Sequence, residues 1–261
     1  PPPPPPPTLY SSSAASDVYK RQRLTLERMK ERYNVEVTTH PPSIPYRETI
    51  TSKAEGHHRH KKQTGGAGQF GEVFLRIEKL DRGSGFEFQD KVVGGAIPSQ
   101  FIPAVEKGVR QALEGGSVAG FPLQDVRVTV YDGKHHPVDS KEIAFVTAGK
   151  KAFYDAVEKA RPIVLEPIVE LDITIPADAV GNITGDLSSR RGRILGNTTL
   201  SGGRVVIHSE IPLAEVQGYQ SQLRSLTGGA GTYTMSFSRY EPVPPRTQQD
   251  LIAKHAEAAT A

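Results

Sequence analysis

From Arg23 onward the spacing of apolar residues alternates between helical and strand-like periods. Leu26, Met29 and Tyr33 fall three and four apart, with Glu27, Arg28, Lys30 and Arg32 on other faces, which predicts a helix ended by Asn34. Val35–Val37 reads as a short strand, and Pro41, Pro42 and Pro45 as a stiff connection into Tyr46–Ile50. One helix and one or two strands bury too little to stand alone, so this stretch reads as a partial α/β element. Glu72–Glu78 then reads as a strand. Residues 97–113 are expected to be a helix with Ile102, Val105, Val109 and Leu113 on one face, Pro98 in its first turn and Gly115-Gly116 at its end. Val126–Val130 alternates as a strand. Tyr131–Ser140, with Asp132-Gly133 and Pro137, reads as an exposed turn. Ser140 is placed to cap a helix whose apolar stripe is Ile143, Val146, Phe153 and Val157. The order strands, helix, strand, tip, helix describes an α+β domain with one loop projecting at an end.

A second unit follows Glu166-Pro167. A strand through Ile168–Ile175, a helix over 179–189, a strand over 193–200, a Gly202-Gly203 turn, a strand over 205–211, a helix over 213–226 and a strand over 232–240 give the order β-α-β-β-α-β. That is the ferredoxin-like split unit. Pro242–Pro245 reads as a linker and 250–259 as a terminal helix. Residues 1–20 open with prolines followed by Ser and Ala, a composition that cannot bury a core and is expected to be disordered. The abrupt change near Tyr19-Lys20-Arg21 resembles an adaptor sequence joined to a truncated gene, so the natural protein is expected to continue upstream. The expected segments are a leader (1–20), the partial element (21–50), the first domain (51–166), the second (167–242) and the linker with its helix (243–261).

Composition narrows the function classes. The 261 residues carry a formal charge of +3, contain no cysteine and are 36% hydrophobic, with a pI near 9.0 and mean hydropathy of −0.41. Disulfides and thiolate chemistry are excluded, and zinc would have to be held by His and carboxylates alone. No apolar run approaches the ~20 residues of a membrane span. No secretory signal is present. The mild basicity suits nucleic acid if the cations cluster.

Three clusters stand out. The tip, Lys134-His135-His136-Pro137-Val138-Asp139-Ser140, offers imidazoles that donate, accept or stack on bases. His136, Asp139 and Ser140 also spell a hydrolytic triad, but one short loop supplies neither an oxyanion hole nor an orienting acid from another element. His58, Arg59, Lys61 and Lys62 form a basic strip before Gly66, Gly68 and Gly71, and read equally as a solvated face or as phosphate contacts. A metal site at His58 and His60 lacks a visible third ligand. The glycines match a dinucleotide fingerprint, which requires a strand before them and a helix after; here a polar stretch precedes and a strand follows. Arg190, Arg191, Arg193 and Arg204 gather the second unit's positive charge. Phosphate contact is favoured there over simple helix-dipole compensation. No P-loop or guanine-reading motif occurs, and no residue is nominated as catalytic.

Several of these stretches resemble translation elongation factor G: Leu26-Glu27-Arg28-Met29-Lys30, Tyr46-Arg47-Glu48-Thr49, Lys61 through Gly71, His136-Pro137-Val138-Asp139-Ser140, Leu165-Glu166-Pro167, Gly185 through Gly192 and Gln222 through Thr227, in that family's order. The resemblance implies the end of domain III, then domain IV with a ribosomal-protein-S5-like α+β fold, then a ferredoxin-like domain V, and a terminal helix packing on domain IV. It implies a monomer acting in the cytoplasm or an organellar matrix. Its partners would be the ribosome, ribosomal RNA and the tRNA–mRNA pair at the decoding site, with no membrane. GTP and Mg would belong to a domain outside this chain, so the fragment itself would hold no cofactor and perform no catalysis. The tip would touch tRNA and mRNA during translocation, and the Arg190–Arg193 cluster would face large-subunit RNA and the stalk base. Pro137 replaces an acidic residue common in the family, and the Gly66–Gly71 wording is similar to the elongation-factor-G-like paralogues, for which ribosome recycling is an alternative role. A stand-alone RNA-binding module and a nucleotide-using enzyme built on the glycine loop are the other readings.

Overall fold

A computed structural model describes residues 30–34, 43–63 and 68–260. The leader, most of the first expected helix, Val35–Val37 and Gly65–Ala67 lie outside the described residues. What is described of that helix is its last turn, closed by Asn34 at φ 52° with its N–H on Lys30 O.

The chain separates into two compact units, one formed by Pro45–Leu165 with Pro242–Ala261 and one centred on Glu166–Glu241. In the first, β1 (Arg47–Ile50) precedes a four-stranded sheet of β2 (Ala54–Lys62), β3 (Gln69–Lys79), β4 (Phe86–Asp90) and β5 (Val126–Lys134), ordered β2-β3-β5-β4. β4 runs parallel to β5 and the other pairs are antiparallel. The parallel pair is connected through α1 (Ile102–Gly115), entered by a 3-10 turn at Ser99–Phe101. After β5 comes α2 (Glu142–Lys159), which packs on β2, β3 and α1. Strict alternation drives the sheet: Val73, Leu75, Ile77, Val126, Val128 and Val130 are all fully buried. Gly108 lies so close to Val146 O, and Gly149 to Val105, that a side chain at either position would force α1 and α2 apart.

Four expectations are corrected here. The basic strip, read as a polar stretch without a strand, is β2, an edge strand. Asp132-Gly133 is not a turn: β5 continues through Lys134, with Gly133 opposite Val73 and Lys134 opposite Glu72, after a bulge beside Phe74/Leu75. A Cβ on Gly133 would overlap Glu72 O and the Ile97 side chain, so glycine is needed there for close approach. Ser140 does not cap α2. Lys141 occupies the cap position without a side-chain bond; of the expected stripe Val146, Phe153 and Val157 are buried, joined by Phe145, Ala148, Ala152 and Ala156, while Ile143 is 54% exposed. Finally, β1 pairs antiparallel with Pro162–Leu165, so the first unit starts at Pro45 rather than after Ile50.

Those residues open β6 (Pro162–Pro176), whose later part, Ile168–Pro176, belongs to the second unit. There α3 (Val180–Ser189), β7 (Arg193–Leu200), β8 (Arg204–Pro212), α4 (Tyr219–Leu226) and β9 (Thr232–Pro242) follow. β8 lies between β6 and β7, and β9 pairs with β6 on its other side. That strand order and the β-α-β-β-α-β sequence make this a ferredoxin-like fold. The helix expected over 213–226 is split: Leu213–Val216 forms one turn, and Gly218 at φ 74° restarts the chain into α4. Val216, Tyr219 and Leu223 still face the core.

The last helix, α5 (Pro245–Thr260), returns to the first unit. Its Leu251 and Ile252 pack with Ala119, Val164, Phe121 and Tyr46, and Gln248 accepts the N–H of Val164. The segment it rests on is fixed from below by Glu48. That fully buried carboxylate accepts the N–H groups of Ser117 (2.6 Å), Val118 (3.1 Å), Ala119 (2.8 Å) and Phe121 (3.1 Å).

Candidate functional site

The end of the first unit's sheet is where β2 leaves, β3 enters and β5 finishes. Strand alternation sorts the basic strip. Gly56, His58 and His60 face α2, where a side chain on Gly56 would overlap Ala152 O. Burial, with the Lys151 charge nearby, holds the imidazole of His58 below its ordinary pKa, so it is neutral at pH 7 and turned from the tip. Arg59 and Lys61 face the other way. With Lys62, Gln63, Gln69, Phe70, His136 and Asp139 they line a cleft of about 150 Å³. Two clusters far apart in the chain therefore meet in one place: the Arg59–Lys62 strip and the His136–Asp139 loop. Arg59 lies over the Phe70 ring at 5.3 Å, and His136 meets the same ring edge-on at 6.3 Å.

The loop is held by its own polar groups. The His136 N–H donates to Ser140 Oγ (2.8 Å), the Ser140 hydroxyl donates to Phe70 O (3.0 Å), and the Phe70 N–H donates to Asp139 O (2.9 Å). The hydroxyl expected to cap α2 thus pins the tip to β3. Nδ1 of His136 accepts from the N–H of Asp139 (3.2 Å) and of Val138 (3.3 Å). With both amide contacts at Nδ1, Nε2 is the ring nitrogen left without a partner among the described residues and is the one placed for a donor role. The Asp139 carboxylate stands 3.4 Å from Nδ1 and lies against Gly68, where a side chain would displace it. His135 turns away and donates from Nδ1 to Ala96 O (3.2 Å). Lys134, Pro137 and Val138 are exposed. Phe70, Gln63 and Gln69 are the cleft residues that sequence reasoning did not nominate. The alternation of β3 around its buried valine and leucine was the signal that placed Phe70 on the open face.

The arginine cluster of the second unit is engaged internally. Arg190 pairs with Asp186 (3.0 Å) and lies over the Tyr219 ring. Arg191, at φ 61°, binds both Glu166 oxygens (2.6 and 3.0 Å) and reaches Glu215. Arg193 pairs with Glu210, which Arg239 also holds. These guanidiniums spend their forks on carboxylates. Only Arg204 of the four, exposed at the start of β8, forms no ion pair among the described residues. Glu166 is buried, and Asp172 accepts from His208 Nδ1 (2.7 Å).

Glu210 gives a pH dependence. Arg239, then Arg193, hold its carboxyl down to about 2 from the model-peptide value of 4.5. A depressed folded-state pKa stabilises fully above about 4.5 and is lost as pH falls through about 2. Its partners are partly exposed, so the contribution is about 2 kcal/mol rather than the full shift. Glu210→Gln should lower stability at pH 6 by about that amount and flatten the decline between pH 4.5 and 2, read by urea unfolding.

Among the described residues no three of His, Cys, Asp or Glu come together as a metal-binding group. No helix there is long and apolar enough to cross a membrane. The glycine segment is bracketed by β2 and β3, so no helix follows it to receive a pyrophosphate.

Comparisons agree with this geometry. Residues 42–161 match the family described as elongation factor G, domain IV, and residues 163–251 that described as elongation factor G C-terminus. The chain is 48% identical over 227 residues to an elongation factor G-like protein of Thermotoga maritima, covering 87% of this chain and 33% of that protein. It is 48% identical over 231 residues to the elongation factor G of Aquifex pyrophilus, covering 88% and 33%, and 51% identical over 221 residues to an elongation factor G-like protein of Mycobacterium tuberculosis, covering 85% and 31%. A crystal structure of a Thermus thermophilus protein superposes with a TM-score of 0.82 at 43% identity, covering 90% of this chain and 35% of that one. The chain spans about a third of the length of these relatives. With the two models matching successive stretches that together cover most of its length, the chain belongs to the elongation factor G family and carries that family's domain IV followed by its C-terminal domain.

Proposed function

We propose that this chain is the ribosome-engaging part of a translational GTPase, with its first unit serving as the arm that reaches the tRNA–mRNA pair in the decoding site. The observation that carries this reading is the convergence of Arg59, Lys61 and Lys62 with His136 on one cleft at the end of a rigid sheet. Cations there neutralise phosphates, Nε2 of His136 is placed for a donor role, and Phe70 gives a ring at the cleft wall. GTP and Mg belong to a separate domain of the longer protein, and the second unit contacts ribosomal RNA through surfaces that include Arg204. The work done at the tip is mechanical: holding a codon–anticodon unit in place while energy is supplied elsewhere. The protein acts as a monomer in the cytoplasm or an organellar matrix. The names of the Thermotoga and Mycobacterium relatives favour a paralogue of the housekeeping factor, for which ribosome recycling is the second reading.

Binding of the chain to ribosomes should weaken steeply with salt, and Arg59→Ala and Lys61→Ala should each reduce the slope of log affinity against log salt by about one. Filter binding over a salt series measures it. Slopes unchanged in both variants would remove phosphate contact from the cleft. Equal affinity for ribosomes and for unrelated RNA would favour a general RNA-binding module.

A further inference from the structure

β7 is the edge of the second unit's sheet, and all eight of its residues are exposed. Both of its faces are open. Asn197 and Thr199 lie opposite Ile207 and Val205 of β8, on the side where the unit's core is built, yet no residue of β7 belongs to that core. Thr198 and Leu200 lie opposite Val206 and Arg204 on the other face, and Leu195 is the extra residue of a bulge between Ile194 and Gly196. Ile194 is 39% exposed, Leu195 54% and Leu200 42%. Three of the eight exposed large hydrophobic residues described therefore stand on this one strand.

An edge strand turns a row of N–H and C=O groups outward, ready to pair with another strand. Proteins blunt such edges with proline, lysine, inward-pointing charge or a bulge. β7 has the bulge alone: from Ile194 to Leu200 it holds no proline and no charged residue. Charge selects the occupant. From Arg193 to Ser209 the β7–β8 hairpin contains Arg193, Arg204 and His208 and neither Asp nor Glu. Glu210 holds Arg193 and Asp172 holds His208, which leaves Arg204, opposite Leu200, as the cation without an ion pair among the described residues. The apolar side chains ask for apolar side chains opposite them, and Arg204 asks for a carboxylate at one end. We infer that β7 is a docking edge for an extended segment of a partner protein that alternates apolar with acidic residues and adds a strand to the sheet. Main-chain bonds would supply the affinity, and the alternate side chains the selection. The inference is independent of the tip cleft. Of the residues given above to RNA it shares only Arg204, and the test decides between peptide and RNA there.

The probe is a short capped peptide alternating valine with glutamate, titrated into the isotope-labelled full chain; a twin with lysine in place of glutamate and a uridine oligonucleotide are the comparisons. Amide shifts confined to β7 and its turn are expected, with the lysine twin binding at least about tenfold more weakly. Leu195→Ser combined with Leu200→Ser should weaken the glutamate peptide about tenfold. Arg204→Ala should weaken it about threefold and narrow the preference for glutamate over lysine. All three positions are exposed, so thermal unfolding of both variants should match the parent; if the double variant unfolds early, Arg204→Ala carries the test. Equal binding of the two peptides, shifts centred away from β7, or no saturation at about millimolar peptide would overturn the inference. Displacement of the peptide from β7 by the oligonucleotide would give the edge to RNA instead. Self-association of the chain, lost in the double variant, would give it to a second copy. Protection of the β7 amides from exchange in the longer protein, without peptide, would give it to one of that protein's own domains. Each of these results leaves the reading of the tip cleft standing.

Discussion

Glu48→Ala is expected to destabilise the first unit by about 3–5 kcal/mol, although it removes one side chain from a four-residue strand. Four backbone N–H groups converge on this carboxylate, and it is fully enclosed. Removing it strands one buried donor, at Ala119, and three half-buried ones, each costing about 1–3 kcal/mol if no water enters. The loss should spread along the chain, because Ala119 and Phe121 form the seat of α5 and a side chain on Gly120 would strike His255. Urea unfolding would show the lower midpoint. Amide exchange would add the location: Ser117–Phe121 and the N-terminal turns of α5 should lose protection together. Glu48→Gln should recover only part, since its NH₂ would face donors. A destabilisation below about 1 kcal/mol for Glu48→Ala would mean the four amides have another acceptor.

The stability of this unit and the legibility of its sequence follow from the same close contacts. The second unit's element order could be read from periodicity because β6 and β8 bury one face in the ordinary way, with Leu171, Ile173 and Ile175 against Ile183 and Leu187, while β7 is exposed along its length. β2 could not. Its inner face carries Ala54, Gly56, His58 and His60, because α2 approaches so closely that Gly56 has no room for a Cβ. A strand whose core side must be small loses the apolar alternation that announces strands. Asp132-Gly133 failed for a related reason: a dipeptide that usually turns was selected for the absence of a side chain against Ile97. Ser140 was legible as a hydroxyl beside a helix start, but tertiary bonds to His136 and Phe70 outcompeted capping. The Arg190–Arg193 cluster was legible as charge, while its partners Glu166, Glu210 and Glu215 are distant in sequence, so local composition overstated the positive field. The tip loop was found and the cleft was not, because a cleft between β2 and β5 exists only once β3 has been inserted between them.

His136→Ala, introduced into the longer protein that carries these domains, is expected to slow translocation by about ten- to a hundredfold while changing ribosome-stimulated GTP hydrolysis by less than about twofold. The imidazole does two jobs. Nδ1 accepts from Val138 and Asp139 and so shapes the loop, and Nε2, with no partner among the described residues, is left for a donor role. Alanine removes both, so by itself it cannot say which matters. Asparagine separates them: its Oδ1 can accept the same two amides, as Asx turns do, but nothing replaces the Nε2 donor. If the donor acts on the tRNA–mRNA pair, His136→Asn should fold its loop normally, keep the Ser140–Phe70 link, and translocate as slowly as His136→Ala. If the imidazole only holds the loop, asparagine should restore the rate. Amide shifts of Val138 and Asp139 would verify the loop, and rapid kinetics of mRNA movement beside phosphate release would read the two activities. Equal loss of movement and GTP hydrolysis in both variants would instead place His136 in binding to the ribosome as a whole, and the assignment of the tip to the moving codon–anticodon unit would fail.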